Sequence, residues 1–277
     1  MKLYYILLLV IIPQFICAWN TEIHMMVAQI AYSQLDSTTL DKISNDISIF
    51  ENFFPNYSDP YSGAVWSDYI NKYMKFFSTW HYIDIPYNPS NISGVPNASN
   101  INIVWALETI VDSYSQDNNI SWDYGFVIRW LLHLLGDIHQ PLHNIELYNT
   151  TYPKGDQGGN LIKIIYQNKL MDLHSFWDSC AQLYTKSFRF PLTTEEINYI
   201  KLQAQNLTNM YPKFNVTDYD FWKWSLESHQ LGIDYAYKPL INTNVISQEY
   251  LTNARNVCCY QIVKAGYRLA YLLNKFM

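Results

Sequence analysis

The strongest constraint on the fold of this chain is the segment 130–137, Trp-Leu-Leu-His-Leu-Leu-Gly-Asp, which is apolar on all sides except at His133 and Asp137. In a helix these two residues lie one turn apart on the same face. A helix of this composition is buried, and burying both polar side chains without partners would be costly. On this helix alone two interpretations are equally good: a hydrogen-bonded pair, or a bound metal ion, which takes neutral imidazole and carboxylate together.

The same His-x-x-x-Asp spacing recurs at His174 and Asp178, in a second apolar segment. With 24 acidic residues and seven histidines in 277 positions, chance alone produces about half of one His-x-x-x-acid pair. Two pairs inside apolar helices therefore favour the metal interpretation. His143 follows in a Gln-Pro-Leu-His turn, and Asp68 and His81 lie at the ends of aromatic helical segments.

Apolar residues at three- and four-residue spacing predict helices through most of the chain. Ser121 is a plausible N-cap, and the predicted helices are 21–35, 62–77, 103–114, 121–137, 194–206, 219–235 and 247–275. The β-branched segment 160–166, a turn at 167–169 and the segment 170–172 predict a small hairpin, followed by a helix from Leu173. Segments 52–60 and 86–100 are predicted surface loops. We expect a mainly α fold, a single helical domain with a minor β-hairpin.

Residues 1–18 have the pattern of a signal peptide, because Lys2 precedes the apolar run 3–16 and Cys17-Ala18 is a small-residue cleavage site. A transmembrane anchor is the competing interpretation, but the run is short for a bilayer, and lipidation at Cys17 is a weaker one. Charges at 264, 268 and 275 make the apolar C-terminal stretch amphipathic. We predict a mature chain 19–277 without a membrane anchor, secreted or held within the secretory or lysosome-like pathway.

Glycosylation sequons and cysteines fit that compartment. The sequons are at Asn56, Asn91, Asn97, Asn119, Asn149, Asn206 and Asn215. Cys180, Cys258 and Cys259 permit one disulfide, from Cys180 to one of the adjacent pair, and leave one thiol over. Their spacing matches no cysteine zinc site, so nitrogen and oxygen ligands would have to hold any metal.

The charge pattern argues against a polybasic nucleic-acid arm. Only 15% of residues are charged, the formal net charge is -6, and no two Lys or Arg residues are adjacent. If the protein handles phosphates, something other than lysine supplies most of the positive charge.

The order and local contexts of nine residues resemble the metal ligands of the trinuclear-zinc single-strand nucleases of the S-one/P-one type, which include the plant bifunctional nucleases. The resemblance extends over essentially the whole mature length, and the nine residues are Trp19, His24, Asp68, His81, His133, Asp137, His143, His174 and Asp178. It implies a phospholipase C/nuclease-like architecture and a zinc pair bridged by Asp137. Asp68, His81 and His133 would hold one ion, and Trp19 and His24 the other, through a free α-amino group at residue 19. His143, His174 and Asp178 would hold a third zinc.

Three zinc ions would offset the formal charge of -6. The remaining histidines are assigned by environment: His139 to a supporting or surface role, and His229 to ordinary structure.

The resemblance also implies substrate contacts. Asp84 would orient or activate the attacking water, the alternative being a surface carboxylate before Pro86. Tyr82 would stack on a nucleobase. The segment Gly158, Gly159 and Asn160 would approach the edge of that base, unless it is only a turn before the hairpin.

Two features depart from the family pattern. Many relatives carry an arginine shortly after the Asp68 position, where this chain has Asn71 and then Lys72, so Lys72 is a candidate phosphate contact. The usual short disulfide loop after the Asp84 region is absent.

The function implied by the resemblance is hydrolysis of single-stranded DNA and RNA to 5′-phosphate products, with 3′-nucleotidase activity, by a monomer without a stable protein partner. A zinc phospholipase C of the same fold is the nearest alternative. Its last zinc ligand is typically Glu, whereas this chain has Asp178 and the Gly-Gly-Asn element. A non-catalytic secreted zinc-binding protein is the alternative from another class.

Overall fold

The computed structural model describes residues 19–115, 121–211 and 213–276. The predicted signal peptide 1–18 and the sequon at Asn119 lie outside the described residues. The α-helices are α1 (Thr21–Tyr32), α2 (Ser37–Ser48), α3 (Pro60–Gly63), α4 (Trp66–Asn71), α5 (Ile103–Ser115), α6 (Ser121–Asp137), α7 (Leu173–Asp178), α8 (Thr194–Met210), α9 (Phe221–Leu231) and α10 (Gln248–Phe276).

Four short strands form two small sheets. Strand β1 (Pro86–Tyr87) pairs in parallel with β2 (Glu146–Leu147), and β3 (Lys163–Tyr166) pairs antiparallel with β4 (Lys169–Asp172). Short 3-10 segments occupy Pro55–Tyr57, Lys75–His81, Pro141–Asn144 and Lys238–Leu240, and a π-helical turn occupies Gly232–Tyr237. The mainly helical architecture and the minor hairpin are confirmed.

Helix α6 is at the centre of the fold. It packs against α1, α2, α4, α5 and α10, and it is apolar on nearly every side, as a central helix must be. Trp130, Leu132 and Leu134 are fully buried, and so are the two polar residues His133 and Asp137. The pair His133 and Asp137, which the sequence places in an apolar helix, is therefore buried at the centre of the molecule.

The long helix α10 covers α6 and α1 with its apolar face. On its other side, Lys264 and Arg268 each donate to the carboxylate of Glu227 on α9, at 2.7 and 2.8 Å. Arg268 also donates to Nε2 of His139 at 2.9 Å. His139 is fully buried, so of the two roles predicted for it the surface role is wrong.

The predicted helix 62–77 is wrong as a single element. It is divided into α3, α4 and the 3-10 segment Lys75–His81. The break after Gly63 has a tertiary cause, because the carbonyl of Ala64 accepts a hydrogen bond from Nδ1 of His133 at 2.8 Å. The predicted helix 219–235 is shorter as an α-helix and continues into the π-helical turn.

The three cysteines are free thiols in this structure, so the predicted disulfide is not formed in it. All three are buried, and the Sγ atoms of Cys180 and Cys259 are 3.7 Å apart. Cys258 also interacts with Cys180, so both members of the adjacent pair lie close to it.

The described residues show two further features. Among the described helices, none combines the length with the apolar character needed to cross a membrane. The sequon asparagines Asn56, Asn91, Asn97, Asn206 and Asn215 are exposed, and Asn149 is partly buried.

Candidate metal centre

The N-terminal end of α1 meets the C-terminal end of α6 at a glycine. A Cβ on Gly136 would lie 2.8 Å from Nδ1 of His24, so only glycine permits this approach. Trp19 is fully buried, and its indole Nε1 donates to the carbonyl of Gly136 at 2.8 Å. The imidazole ring of His24 stacks on that of His133, with the ring centroids 3.8 Å apart.

Asp137 is the centre of the cluster. Its Oδ2 lies 3.0 Å from Nδ1 of His81 and 3.2 Å from Nε2 of His133. Its Oδ1 lies 3.4 Å from Nε2 of His24 and 3.6 Å from Nδ1 of His143. Oδ2 thus faces His81 and His133, and Oδ1 faces His24, as a carboxylate shared between the two predicted ions of the pair would.

Helix α4 brings Asp68 to one side of this cluster. Asp68 Oδ1 lies 3.5 Å from Nε2 of His133 and 3.9 Å from Nδ1 of His81. Its side chain is 23% exposed, whereas those of His133 and Asp137 are fully buried. The cluster therefore opens to solvent beside Asp68.

A third group of ligand-type residues lies around Asp178. Its carboxylate is 3.6 Å from Nε2 of His143 and 3.4 Å from Nε2 of His174. Gln140 donates from Nε2 to Asp178 Oδ1 at 2.7 Å and fixes that carboxylate. The backbone N–H of Asn20 donates to the carbonyl of Asp178 at 3.0 Å, which joins this group to the start of α1.

Three of the imidazoles are oriented by backbone carbonyls. Nδ1 of His133, His143 and His174 lies 2.8, 2.9 and 2.7 Å from the carbonyl oxygens of Ala64, His81 and Gly158, respectively. A carbonyl only accepts, so Nδ1 is the donor in each of these contacts, and Nε2 is the ring nitrogen that would face an ion. This is how proteins orient histidines that ligate metal ions through Nε2.

Several buried polar atoms of the cluster have no hydrogen-bond partner among the described residues. They are His24 Nδ1 and Nε2, His81 Nε2, Asp137 Oδ1, His143 Nε2 and Asp178 Oδ2. An unsatisfied buried polar atom costs about 1–3 kcal/mol. So many in one place indicate that a bound group completes the site.

The donor set fits zinc. Three groups have ligand atoms within 4.8 Å of one another: His24, His133 and Asp137; Asp68, His81 and His133; and His143, His174 and Asp178. Imidazole nitrogen and carboxylate oxygen suit zinc, and three protein ligands per ion leave positions open for water and substrate. The part predicted for the α-amino group of Trp19 stays a prediction, because it requires a chain that begins there.

The charges of the cluster are strongly coupled. Burial lowers the pKa of His133, but the carboxylates of Asp137 and Asp68 outweigh it and raise that pKa to about 9. Burial raises the pKa of Asp137, but His133 and His143 outweigh it and hold that pKa well below the usual range. The buried carboxylate therefore stays ionised and requires positive charge around it.

A pocket of about 210 Å³ adjoins the third group, and its lining includes His174. It brings together four of the predicted substrate contacts, because Tyr82, Asp84, Gly158 and Asn160 all line it. A Cβ on Gly158 would lie 2.7 Å from the carbonyl of Leu142, and its φ of +59° also favours glycine.

Gly159 and Lys72 do not line this pocket. A Cβ on Gly159 would face the side chain of Leu142 at 3.2 Å, and the contact of Gly159 with substrate stays a prediction. Lys72 is the exposed residue at the end of α4, one turn after Asp68, and it remains a candidate phosphate contact.

Asp84 shares the pocket wall with a second acid, Glu146, that the sequence analysis missed. Burial, with added repulsion from Glu146 and Asp156, raises the pKa of Asp84 to about 7. Such a carboxyl group can accept and release a proton near neutral pH. Asp84 is thus more than the surface carboxylate of the alternative interpretation.

Gln140 was also missed, although it lies between two predicted ligands in the sequence. An amide next to a ligand pattern is the only local signal, and nothing local indicates that it reaches Asp178. His229 has the structural role expected of it, with Nδ1 3.0 Å from the carbonyl of Asn144.

Comparison with known proteins identifies one family. A sequence model of the family described as S1/P1 Nuclease matches residues 19–277. Nuclease S1 of Aspergillus oryzae is 27% identical, with 95% of this chain and 93% of the relative aligned. Endonuclease 2 of Arabidopsis thaliana is 25% identical, with 93% and 90% aligned. Nuclease P1 of Penicillium citrinum is 24% identical, with 76% and 82% aligned.

Proposed function

The chain belongs to the S1/P1 nuclease family, and from this premise we propose that it is a zinc-dependent endonuclease acting on single-stranded DNA and RNA. Its products carry 5′-phosphates, and it also removes the phosphate of 3′-nucleotides. The observation that carries the proposal is the open cluster of eight histidine and aspartate ligands beside a pocket that contains Tyr82, Asp84 and Asn160.

Three zinc ions, when bound, supply Lewis-acid polarisation of the phosphoryl group and a lowered pKa for coordinated water. Asp68, His81 and His133 would hold one ion and Trp19 and His24 another, with Asp137 available to both. His143, His174 and Asp178 hold the third. Because three imidazoles are fixed through Nδ1 by backbone carbonyls, their Nε2 atoms are preorganised for this role.

The residues of the pocket then act on the substrate. Tyr82 stacks on a nucleobase, and Asn160, whose side chain is held by the carbonyl of Gln157 at 2.8 Å, contacts the edge of that base. Asp84 accepts the proton of the attacking water. A base paired in a duplex hides its faces, so stacking in this pocket selects single strands and ends.

We also propose a secreted or secretory-pathway location and a monomeric state. The apolar segment 3–16 and the exposed sequons support the first proposal. Cleavage after Ala18 would also release the α-amino group of Trp19, so maturation and metal binding would be coupled.

The direct test is a substrate panel with the purified chain that begins at Trp19. We expect hydrolysis of single-stranded DNA, RNA and 3′-mononucleotides, with much slower hydrolysis of duplex DNA. Tyr82→Phe keeps the ring and should retain most of the activity, whereas Tyr82→Ala should lose about tenfold in kcat/KM. Hydrolysis of phosphatidylcholine without hydrolysis of nucleic acid would instead identify a phospholipase C, and zinc binding without either activity would identify a binding protein.

A further inference from the structure

An exposed aromatic surface lies beside the open side of the metal centre. Of the eight histidine and aspartate ligands, Asp68 has the most exposed side chain, at 23%. Asp68 is on α4, so the exposed Lys72, one turn further along the same face at the end of this helix, borders the opening.

Three tyrosines cluster at this border. Tyr69 follows Asp68 directly, and its ring centroid lies 4.7 Å from that of Tyr57 and 5.3 Å from that of Tyr73. Burial, the phenols of Tyr69 and Tyr73 and, to a smaller extent, Asp68 raise the pKa of Tyr57 to about 12. Tyr57 is thus close to the candidate ligand Asp68.

The outer ring of the cluster is available to a ligand. The side chain of Tyr73 is 71% exposed, far more than its two ring neighbours. Packing within the protein does not require so exposed a ring.

Positive charge accompanies these rings. Lys72 and Lys75 lie in the fully exposed run 72–76, and the segment 69–77 contains no acidic residue. In a chain with a formal net charge of -6, this local excess of lysine complements a phosphate backbone. Aromatic rings interleaved with lysines are the usual surface for single-stranded nucleic acid.

This surface is separate from the base pocket. The pocket of Tyr82 and Asp84 adjoins His174, in the group around Asp178, whereas the tyrosines adjoin Asp68, in the group with His81. A strand whose phosphate lies at the metal centre and whose base fills the pocket must continue away from the pocket. The tyrosines border the opening beside the group of Asp68, His81 and His133.

We propose that Tyr57, Tyr69, Tyr73 and Lys72 form a second strand-binding surface, which we call the tyrosine platform. A base of the strand beyond the scissile phosphate stacks on Tyr73, and Lys72 contacts a neighbouring phosphate. The platform rests on the proposed function, and it makes the enzyme prefer oligonucleotides to mononucleotides.

The test compares Tyr73→Ala with two other variants in the zinc-loaded protein. Tyr73→Phe keeps the ring that stacks. Tyr260→Ala is the matched control, since Tyr260 is a 38% exposed tyrosine on α10, which carries no ligand. The probe is a single-stranded oligothymidylate with hydrolysis-resistant phosphorothioate linkages, and its Kd is measured by fluorescence anisotropy.

We expect Tyr73→Ala to raise this Kd about tenfold, with little change in Tyr73→Phe and Tyr260→Ala. The ratio of kcat/KM for an oligonucleotide to that for a 3′-mononucleotide should fall by a similar factor, because the mononucleotide does not reach the platform. An unchanged ratio and an unchanged Kd in Tyr73→Ala would overturn the platform.

The outcomes separate the platform from the proposed function. If the wild-type protein cleaves nucleic acid but Tyr73→Ala behaves like the control, the platform alone is wrong. If the wild-type protein cleaves no nucleic acid yet binds the probe through Tyr73, the proposed function alone is wrong. If Tyr73→Ala instead loses binding to phosphatidylserine vesicles while its Kd for the probe is unchanged, the surface is a membrane contact and the platform is overturned.

Discussion

Burial and neighbouring charge set the acidity of Asp84, the proposed acceptor of the proton of the attacking water. Its carboxyl group is held among two other acids, and burial with their charge raises its pKa to about 7. Positive ions bound in the neighbouring groups would lower that pKa. As a base Asp84 acts in its ionised form, so activity should rise with pH through a pKa at or below about 7.

We therefore predict that Asp84→Asn lowers kcat/KM about 100-fold and abolishes this acid limb of the pH profile. Glu146→Gln is the informative companion, because it removes a negative charge from beside Asp84 and should move the limb to lower pH while keeping it. The measurement is kcat/KM on single-stranded DNA between pH 4 and 8. An acid limb that persists unchanged in Asp84→Asn would show that another group accepts the proton.

Trp19 is the residue whose role depends on processing. Its indole is fixed by the carbonyl of Gly136 at 2.8 Å, and the next N–H, of Asn20, is fixed by the carbonyl of Asp178 at 3.0 Å. Residues 19 and 20 are thus tethered to both sides of the candidate metal centre.

We predict that one glycine added before Trp19 removes about one zinc per chain and lowers activity by at least about tenfold. Trp19→Phe with the native start is the control, since it keeps the α-amino group while it loses the indole hydrogen bond and part of the buried ring. Zinc is measured by elemental mass spectrometry on protein whose N-terminus has been verified by intact mass. A glycine-extended protein with full zinc and full activity would remove Trp19 from the site.

The packing of α1 on α6 is what brings His24 to Asp137. The helices approach at Gly136, where a Cβ would lie 2.8 Å from Nδ1 of His24 and 3.1 Å from its Cε1. The imidazole cannot move away easily, because it is stacked on His133.

We predict that Gly136→Ala lowers the free energy of unfolding by about 1–3 kcal/mol and reduces the zinc content. Gly94→Ala is the control: no heavy atom lies within 4 Å of its Cβ, although its φ of +77° makes alanine strained. It should cost about 1 kcal/mol and leave zinc unchanged. Equal zinc content in the two variants, measured alongside urea unfolding, would contradict the assigned role of Gly136.

The helices that were predictable are those with an apolar face in one continuous run, such as α6 and α10. Helix α2 was not predicted, because only Ile43, Asp46 and Ile47 of its residues are buried and its pattern is mostly polar. The segment 62–77 has a helical pattern but is broken by a contact with His133 from a distant part of the sequence. The β1–β2 pair joins two dipeptides about 60 residues apart, and no local pattern encodes such pairing.

The candidate ligands were predictable for a different reason. His133 with Asp137 and His174 with Asp178 lie inside apolar helices and conflict with burial unless they share a partner, which favours a metal ion there. The other candidate ligands were predicted from the family resemblance. The residues that support the site show no such conflict between polarity and burial in their local sequence. Gln140 and Glu146 acquire their roles only when the chain brings them to Asp178 and Asp84.

The protein as a whole is a helical shell around a negatively charged, incompletely satisfied centre. Its formal charge of -6 makes it a poor binder of nucleic acid without bound cations. Three zinc ions would reverse the local field at the centre and satisfy the buried atoms that lack partners. Folding, charge balance and substrate binding would then all depend on the same ions.

The most direct test of this dependence is the zinc content of the chain that begins at Trp19, measured by elemental mass spectrometry. Hydrolysis of single-stranded DNA by the same protein is measured before and after chelation. We predict about three zinc ions per chain, loss of hydrolysis when they are removed, and recovery when zinc is restored. A purified, folded protein that cleaves single-stranded DNA without bound zinc, or that binds no zinc at all, would contradict the account.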